Sequence, residues 1–255
     1  MLETERFILR PWRDADAATL FRWASDPRVG PPANWAPYVS IEHARETLHA
    51  VYCVPDTFAI CSKHPEEFDA ATISRIEGEA DFGDMTRGFS GRAFLRERKK
   101  VASAPLNPIG SIRFVKPDHA NCAIGDNDRE MGIWLAAPFW GFGIAPEVAG
   151  AMLRYGFGER GLSAIWVCNF VENATSARAK DKLGFELVRL EEATNPVTGV
   201  VRTQQVSVLT KSSWENMLKA TEQVFVPYAH FCCCAICRTR RQSRKAQCLS
   251  VARVS

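Results

Sequence analysis

The sequence predicts an α/β fold built around a mixed sheet, and three observations carry that prediction. Runs of alternating apolar character, read as strands, are interleaved with runs whose apolar residues recur three and four apart, read as helices. The segment Ala164 to Phe170 is apolar nearly throughout and rich in β-formers, as a strand covered on both faces should be. Between Arg129 and Tyr155, a strand, a glycine-bearing turn and a helix start follow one another. The resulting order is β-α-α-β-β-β-α-β-α-β-β, which implies strands and helices packed in layers.

Each element has its own signal. Glu5 to Trp12 is the first strand, with Phe7 and Leu9 on one face and Pro11 closing it. Asp14 is the expected N-cap of a helix whose apolar side is Leu20, Phe21 and Trp23. Asp26-Pro27 and Pro31-Pro32 break that helix. Ser40 caps a second helix, along which Ala44, Leu48 and Val51 recur at helical spacing. Thr57 to Cys61 is a short strand, and Ile109 to Val115 another, turned by Pro117-Asp118. Arg129 to Leu135 alternates Met131, Ile133 and Leu135 against Gly132 and Trp134. Pro146 suits a first helical turn, and Val148, Ala151, Met152 and Tyr155 form the stripe of that helix. After the strand Ala164 to Phe170, a short helix runs from about Thr175 to Gly184. Phe185 to Leu190 and Gln204 to Thr210 are a last strand pair, joined through Asn195-Pro196 and Gly199.

Two segments stand apart. From residue 64 to 105 no period persists, and glycines interrupt a half rich in Asp and Glu followed by a half rich in Arg and Lys. This is the signature of an insertion, partly disordered, with a lid over a substrate as the functional alternative. From 222 to 255, six basic residues stand against Glu222 alone, a net charge of +5, so the other 221 residues carry −2 of the chain's total of +3. The basic balance belongs to the tail, and the body gives no electrostatic case for nucleic acid. The tail also crowds Cys232, Cys233, Cys234, Cys237 and Cys248. Cys234-x-x-Cys237 is half of a zinc motif with no second pair following. Contiguous cysteines beside Arg238 to Arg241 fit palmitoylation, an anionic surface or a nuclear signal. The expectation is a disordered appendage, either functional or a splicing artefact, following a domain over residues 1–221.

The N-terminal run Met1 to Arg6 has no apolar segment of a secretory signal. No stretch approaches the roughly 20 apolar residues of a membrane helix. A cytoplasmic location is expected, with a nuclear one open through the tail, and nine cysteines in such a setting are expected to be reduced.

The strand-turn-helix unit carries the chemistry. The first N–H groups of a helix lack partners and, with the helix dipole, make an anion site. Gly141 and Gly143 can take positive φ and let backbone approach a pyrophosphate. A dinucleotide fingerprint is excluded, because Pro146 stands where the third glycine of G-x-G-x-x-G belongs. One strand later, Asn173-Ala174-Thr175-Ser176 opens the next helix. Asn173 and Ser176 each read as plain caps when taken alone. Glu130 is a candidate base on the central strand, with a salt-bridged strand-end carboxylate as its bland alternative. Cys168 reads as a core residue. His43 and His49 are six apart, off a single helix face, so no metal is expected.

In combination these residues resemble the Gcn5-related acetyltransferase (GNAT) superfamily. The matching text is Arg129-Glu130-Met131-Gly132-Ile133-Trp134-Leu135, then Phe139 to Glu147, Asn173 to Ser176, and Lys182-Leu183-Gly184-Phe185. Arg6-Phe7-Ile8-Leu9-Arg10-Pro11-Trp12, Asp26-Pro27 and Trp35-Ala36-Pro37 look like the branch with ribosomal-protein-alanine acetyltransferases. The resemblance covers about residues 3–217 without the insertion. It implies a mostly antiparallel central sheet splayed between its fourth and fifth strands, with helices on both faces. It implies acetyl-CoA as co-substrate, with no metal. Trp134, Leu135, Trp140, Gly141, Phe142, Gly143, Ile144, Ala145 and Asn173 would bind it. Glu130 would act as base, Ser176 would protonate the leaving thiolate, and Asn173 would hold pantetheine or a water near the amine. The acceptor would be a small-molecule amine or a peptide N-terminus, and the protein a monomer or homodimer. Phe142 departs from the pattern, since a basic residue is common there. That departure motivates a second reading, a catalytically degenerate acyl-CoA-binding scaffold.

Overall fold

The computed structural model describes residues 1–65, 106–195 and 199–225. The chain divides into two compact units, Met1–Lys211 and Ser212–Ser255.

The first unit holds an eight-stranded sheet in the order β1-β2-β3-β4-β5-β6-β8-β7. The strands are β1 (Leu2–Glu3), β2 (Phe7–Pro11), β3 (Thr57–Ser62), β4 (Pro108–Val115), β5 (Arg129–Leu135), β6 (Ala164–Phe170), β7 (Glu186–Thr194) and β8 (Val201–Thr210). The seven expected strands are all present, and β1 is an additional two-residue edge strand on β2. Every neighbouring pair is antiparallel except β5 and β6, which are parallel. The helices are α1 (Ala17–Ala24), α2 (Ile41–Thr47), α3 (Ile144–Arg154) and α4 (Ala174–Lys182).

The sheet is covered on both faces, and the alternation of β3 shows how. Ala59 and Cys61 point into a cluster with Leu20 and Ala24 of α1 and Ala44 of α2. Phe58 points the other way, 5.8 Å from the ring of Tyr155 beyond α3. Near that ring the chain approaches the sheet closely: a Cβ on Gly156 would lie 2.8 Å from both Ile165 and Phe114. Ser40 caps α2 as expected, its Oγ accepting from His43 N at 3.1 Å. A wider turn then continues α2 over Leu48–Tyr52 and buries both Leu48 and Tyr52.

Two local expectations are corrected. Asp14 is not the cap of α1; it lies exposed in a short 3-10 turn over Asp14–Asp16. Asp16 is the buried carboxylate, because Arg10 is buried beside it and a desolvated guanidinium requires a partner. Arg10 Nη1 and Nη2 donate to its two oxygens at 2.7 and 2.8 Å, and Arg13 N donates to Oδ2 at 2.9 Å. The second correction concerns the unit after Lys211, where a helix α5 spans Lys211–Phe225. Trp214, Met217 and Leu218 supply its helical spacing, a stripe absent from the expected element order. Beyond residues 64–65 the expected insertion, and beyond 225 the expected tail, lie outside the described residues.

Gly110 in β4 faces the backbone of β5 with no room for a side chain: a Cβ there would overlap Trp134 O and come within 2.8 Å of Leu135 Cδ2. Gly110→Ala is therefore expected to destabilise the protein by about 1–3 kcal/mol, the usual cost of overpacking. Thermal and urea melting of the full chain measure it.

Candidate active site

β5 pairs with β4 along its whole length, from Val115↔Glu130 to Gly110↔Leu135. β6 pairs equally fully with β8. Between them only Arg129↔Ile165 and Glu130↔Trp166 are paired, at their N-terminal ends. Beyond Glu130 the two strands part, which is the splay expected between them. Its effect on burial is direct. Gly132, Ile133 and Trp134 on β5, and Cys168 and Asn169 on β6, are only half-buried although they lie in the middle of the sheet.

The backbone of β5 offers groups to this gap. Ala136 N donates to Ile109 O at 2.9 Å, towards β4. Successive residues of an antiparallel strand turn their backbone groups to opposite edges, so Trp134 also faces β4 while Ile133 and Leu135 face the gap. Leu135 O confirms the direction, since it accepts from the exposed Trp140 indole at 2.8 Å. Of the expected cofactor residues on β5, Leu135 thus offers backbone to the gap and Trp134 does not. The Trp134 ring lies on the α1–α2 face, 6.0 Å from Trp35 and 6.4 Å from Tyr52.

At the open end of the gap stands the glycine loop. Gly141 and Gly143 have φ of 82° and 73°, the left-handed values that glycine adopts without cost. Gly143 is the N-cap of α3, and no side chain caps this terminus. The N–H groups of Ile144 and Ala145, first in the helix, therefore keep their donor capacity for a ligand. Phe142 brings no charge, but Arg6 does. Its Nη1 donates to Phe142 O at 3.1 Å, and its Nε and Nη2 hold Glu147 at 2.7 and 2.6 Å. Thr4 Oγ1 and Arg6 N complete this brace on Glu147 Oε1, at 2.6 and 3.0 Å. Partial burial pushes the Glu147 carboxyl up, and the bonds and charge from Thr4 and Arg6 outweigh it to leave the group below its ordinary value. The brace ties β2 to the first turn of α3 and fixes the loop.

Because β5 and β6 are parallel, α4 begins at the same open end. Asn173 Oδ1 is spent as its cap, accepting from Ser176 N at 3.0 Å. The Ser176 hydroxyl and the Asn173 amide nitrogen make no hydrogen bond among the described residues. On β6, Asn169 leaves Oδ1 buried without a partner, an acceptor suited to an amide N–H entering the gap. It shares the α3 face with Ile165. The residues present thus fit an extended, amide-containing, phosphate-bearing cofactor: orphan donors at the loop, free backbone on β5, and an orphan acceptor on β6.

Glu130 lies at the closed end, on the α1–α2 face, and is only 3% exposed. Among the described residues it forms no salt bridge. Asn121 N and Nδ2 donate to it at 2.5 and 2.7 Å, and Asn121 O in turn accepts from Gln204 Nε2 at 3.1 Å. Burial pushes the Glu130 carboxyl above its ordinary 4.5, against the Asn121 bonds and the charge of Arg113. The hydrogen bond of the half-buried Cys168 to Cys122, and its burial, raise its pKa. Glu130 and Ser176 do not meet; they approach the gap from opposite faces and opposite ends. Arg6, Asn121, Gln204 and Asn169 are unexpected from sequence, because each acts through a partner 9 or more positions away or through an unfilled bond.

One set of metal-type ligands does come together. Asp14, His49 and Cys53, all exposed, bring one ligand atom each within 4.8 Å of one another. His49 and Cys53 are four apart on a helical turn, a spacing that the comparison of His43 with His49 passes over.

The sheet splays between parallel strands, with an uncapped glycine loop at its open end and a buried carboxylate at its closed end. A family model described as an acetyltransferase (GNAT) domain matches residues 6–186. The chain belongs to the GNAT acetyltransferase family. It is 28% identical over 186 residues to YoaA, an uncharacterized N-acetyltransferase of Bacillus subtilis (strain 168), covering 73% of this chain and 82% of that one. It is 24% identical to the uncharacterized N-acetyltransferase p20 of Bacillus licheniformis, over 72% of this chain and 82% of the relative. Among solved structures, a GCN5-related N-acetyltransferase from Brucella melitensis superposes with a TM-score of 0.58 at 17% identity, over 89% of this chain and 85% of that one. A spermidine N-acetyltransferase from Vibrio cholerae, in complex with CoA and spermine, gives 0.56 at 14% identity, over 82% and 98%. The protein is an acyltransferase of the N-acetyltransferase type. No helix among the described residues is long and apolar enough to cross a membrane.

Gly143 has open space around it, with Arg6 Nη2 3.8 Å from a built Cβ, so only its positive φ demands glycine. Gly143→Ala is expected to strain the loop by about 1–2 kcal/mol. Calorimetry should then show a roughly tenfold weaker Kd for CoA.

Proposed function

We propose that this protein is an acetyl-CoA-dependent N-acetyltransferase that moves an acetyl group directly to a primary amine, either a small molecule or a protein N-terminus. The observation that carries this reading is the pairing of an open β5 backbone edge with a buried, proton-hungry carboxylate at its closed end. The loop from Gly141 to Ala145 holds the cofactor's pyrophosphate by backbone, and Arg6 keeps that loop in place. Ile133 and Leu135 bind the pantetheine as an added strand would be bound. Bound acetyl-CoA supplies the thioester whose carbonyl carbon the amine attacks. One N–H of Ile133 or Leu135 stabilises the charge that develops on that carbonyl oxygen. Glu130, on the acceptor face, takes the proton that the amine must lose. The Ser176 hydroxyl, on the other face, donates to the departing sulfur.

Calorimetry with acetyl-CoA, followed by thiol release across a panel of amines and of peptides beginning with Ala or Ser, tests the reading. Failure to bind at millimolar cofactor rejects it. Binding with no turnover supports the scaffold alternative.

Two further outcomes follow from Glu130. Glu130→Gln should lower kcat by roughly 10²–10⁴-fold, the usual contribution of a positioned base, with the Kd for CoA unchanged. The base works only when ionised. With its pKa raised above 4.5, kcat should rise with pH through a limb lying above that of an ordinary glutamate and fall away below it. A kcat–pH profile shows whether that limb vanishes in the glutamine variant.

A further inference from the structure

The acceptor side of the cleft contains a charge that the scheme above leaves idle. Arg113 sits on β4 opposite Gly132 of β5, on the same face as Glu130 and Trp134. Gly132 has no side chain to oppose it, and the arginine lies across the vacant position, with Cγ and Nε each 3.7 Å from where a Cβ would stand. Arg113 is half-buried. Among the described residues its guanidinium makes no hydrogen bond and no ion pair. Arg10 shows how this protein treats a buried arginine without a ligand role: two bonds to Asp16, one to Pro11 O and one to Leu106 O occupy both of its terminal nitrogens, and only Nε is left without a partner. A planar fork of five donors, left unfilled in a cleft, is built to receive something.

The surroundings do not neutralise Arg113 either. Tyr38 and Tyr52 stand close enough to feel its charge, and burial, the largest influence on both, raises them above 10. They are neutral hydroxyls at physiological pH. Glu130, a carboxylate that feels the charge of Arg113, already accepts two bonds from Asn121. The acceptor face therefore pairs a fixed positive charge with neutral aromatic groups and one proton acceptor.

We propose that the acceptor amine carries a carboxylate, as an amino acid does, and that Arg113 receives this carboxylate while Glu130 faces the nitrogen. The inference rests on reading this face as the acceptor side of an N-acetyltransferase. Arg113 and Glu130 are diagonal neighbours on adjacent strands, since Arg113 opposes Gly132 and Val115 opposes Glu130. Such positions lie about 7–8 Å apart, so the two side chains rise from one face as near neighbours. The rest of the substrate meets the partly buried rings of Trp35 and Trp134, 6.0 Å apart, which are backed by the buried Tyr38 and Tyr52. A polyamine fits poorly, because its second ammonium would face Arg113 with no free carboxylate among the described residues to hold it.

The test uses the full chain with acetyl-CoA and three kinds of acceptor: the common amino acids, their carboxamides, and spermidine. The expected result is that at least one amino acid exceeds its own carboxamide in kcat/KM by about 10–100-fold, the value of a charge-assisted bond to a buried arginine. Arg113→Gln should erase that ratio and Arg113→Lys reduce it, with melting temperature and the Kd for CoA unchanged. Calorimetry on the CoA-bound enzyme should likewise show the N-acetyl amino acid binding more tightly than its amide, and only while Arg113 is present. Equal rates for acid and amide, a preference for spermidine, or equal losses for every acceptor in Arg113→Gln would overturn the proposal while leaving acetyl transfer intact. No cofactor binding and no transfer to any amine would overturn the functional reading with it. The acid–amide comparison on the unaltered enzyme decides the matter even if both variants misfold.

Discussion

Two backbone pairs, Arg129 with Ile165 and Glu130 with Trp166, hold β5 against β6, and the chemistry of this protein is arranged around the point where they stop. A sheet paired to its ends would bury the backbone of both strands and leave no place for a ligand. A sheet without these two pairs would fall into halves. The parallel contact is kept just long enough to join the halves, and the unfilled edge beyond it becomes a binding surface. Backbone donors and acceptors left unpaired inside a protein are costly. A bound chain of amides and carbonyls removes that cost, which is why the cleft suits a pantetheine arm better than water or a purely apolar guest.

The elements around the gap divide the work by face. α3 and α4 lie on one face and bring the glycine loop, Asn173 and Ser176 to the open end. α1 and α2 lie on the other and bring aromatic rings over Glu130 and Arg113. Asn195, just after β7 and 1% exposed, joins this second face, where it donates to Pro31 O at 3.2 Å. Gln204 of β8 secures Asn121, and Asn121 secures Glu130. A carboxylate held by two neutral donors stays oriented without being neutralised by a counter-ion, and burial keeps its proton affinity high. The phosphate end is arranged differently. There Arg6, which reaches the loop, is occupied by Glu147, so the cradle rests on backbone geometry and the α3 terminus.

The metal-type trio of Asp14, His49 and Cys53 lies outside this scheme. It arises because the 3-10 turn before α1 runs beside the wide turn after α2. No buried or orphaned group accompanies it.

The sequence by itself determined the elements and the kind of chemistry. Strand alternation, the caps at Ser40 and Asn173 and the glycines at 141 and 143 are local properties, fixed by the residue and its near neighbours. Such signals survive in a one-dimensional reading, and all appear in the structure where the sequence puts them. Which side chains meet was decided only by the tertiary structure. Asp16 rather than Asp14 becomes the buried acid because Arg10 faces it across a strand end. Arg6 reaches the loop 136 residues away. Trp134 turns its backbone to β4 and its ring to the acceptor face because of strand direction, which no spacing rule reveals. Arg113 is passed over in the reading of its strand, because its lack of a partner among the described residues depends on every neighbouring element at once. Desolvation and pairing depend on what surrounds a group in space, and that is settled only when the sheet has closed around it.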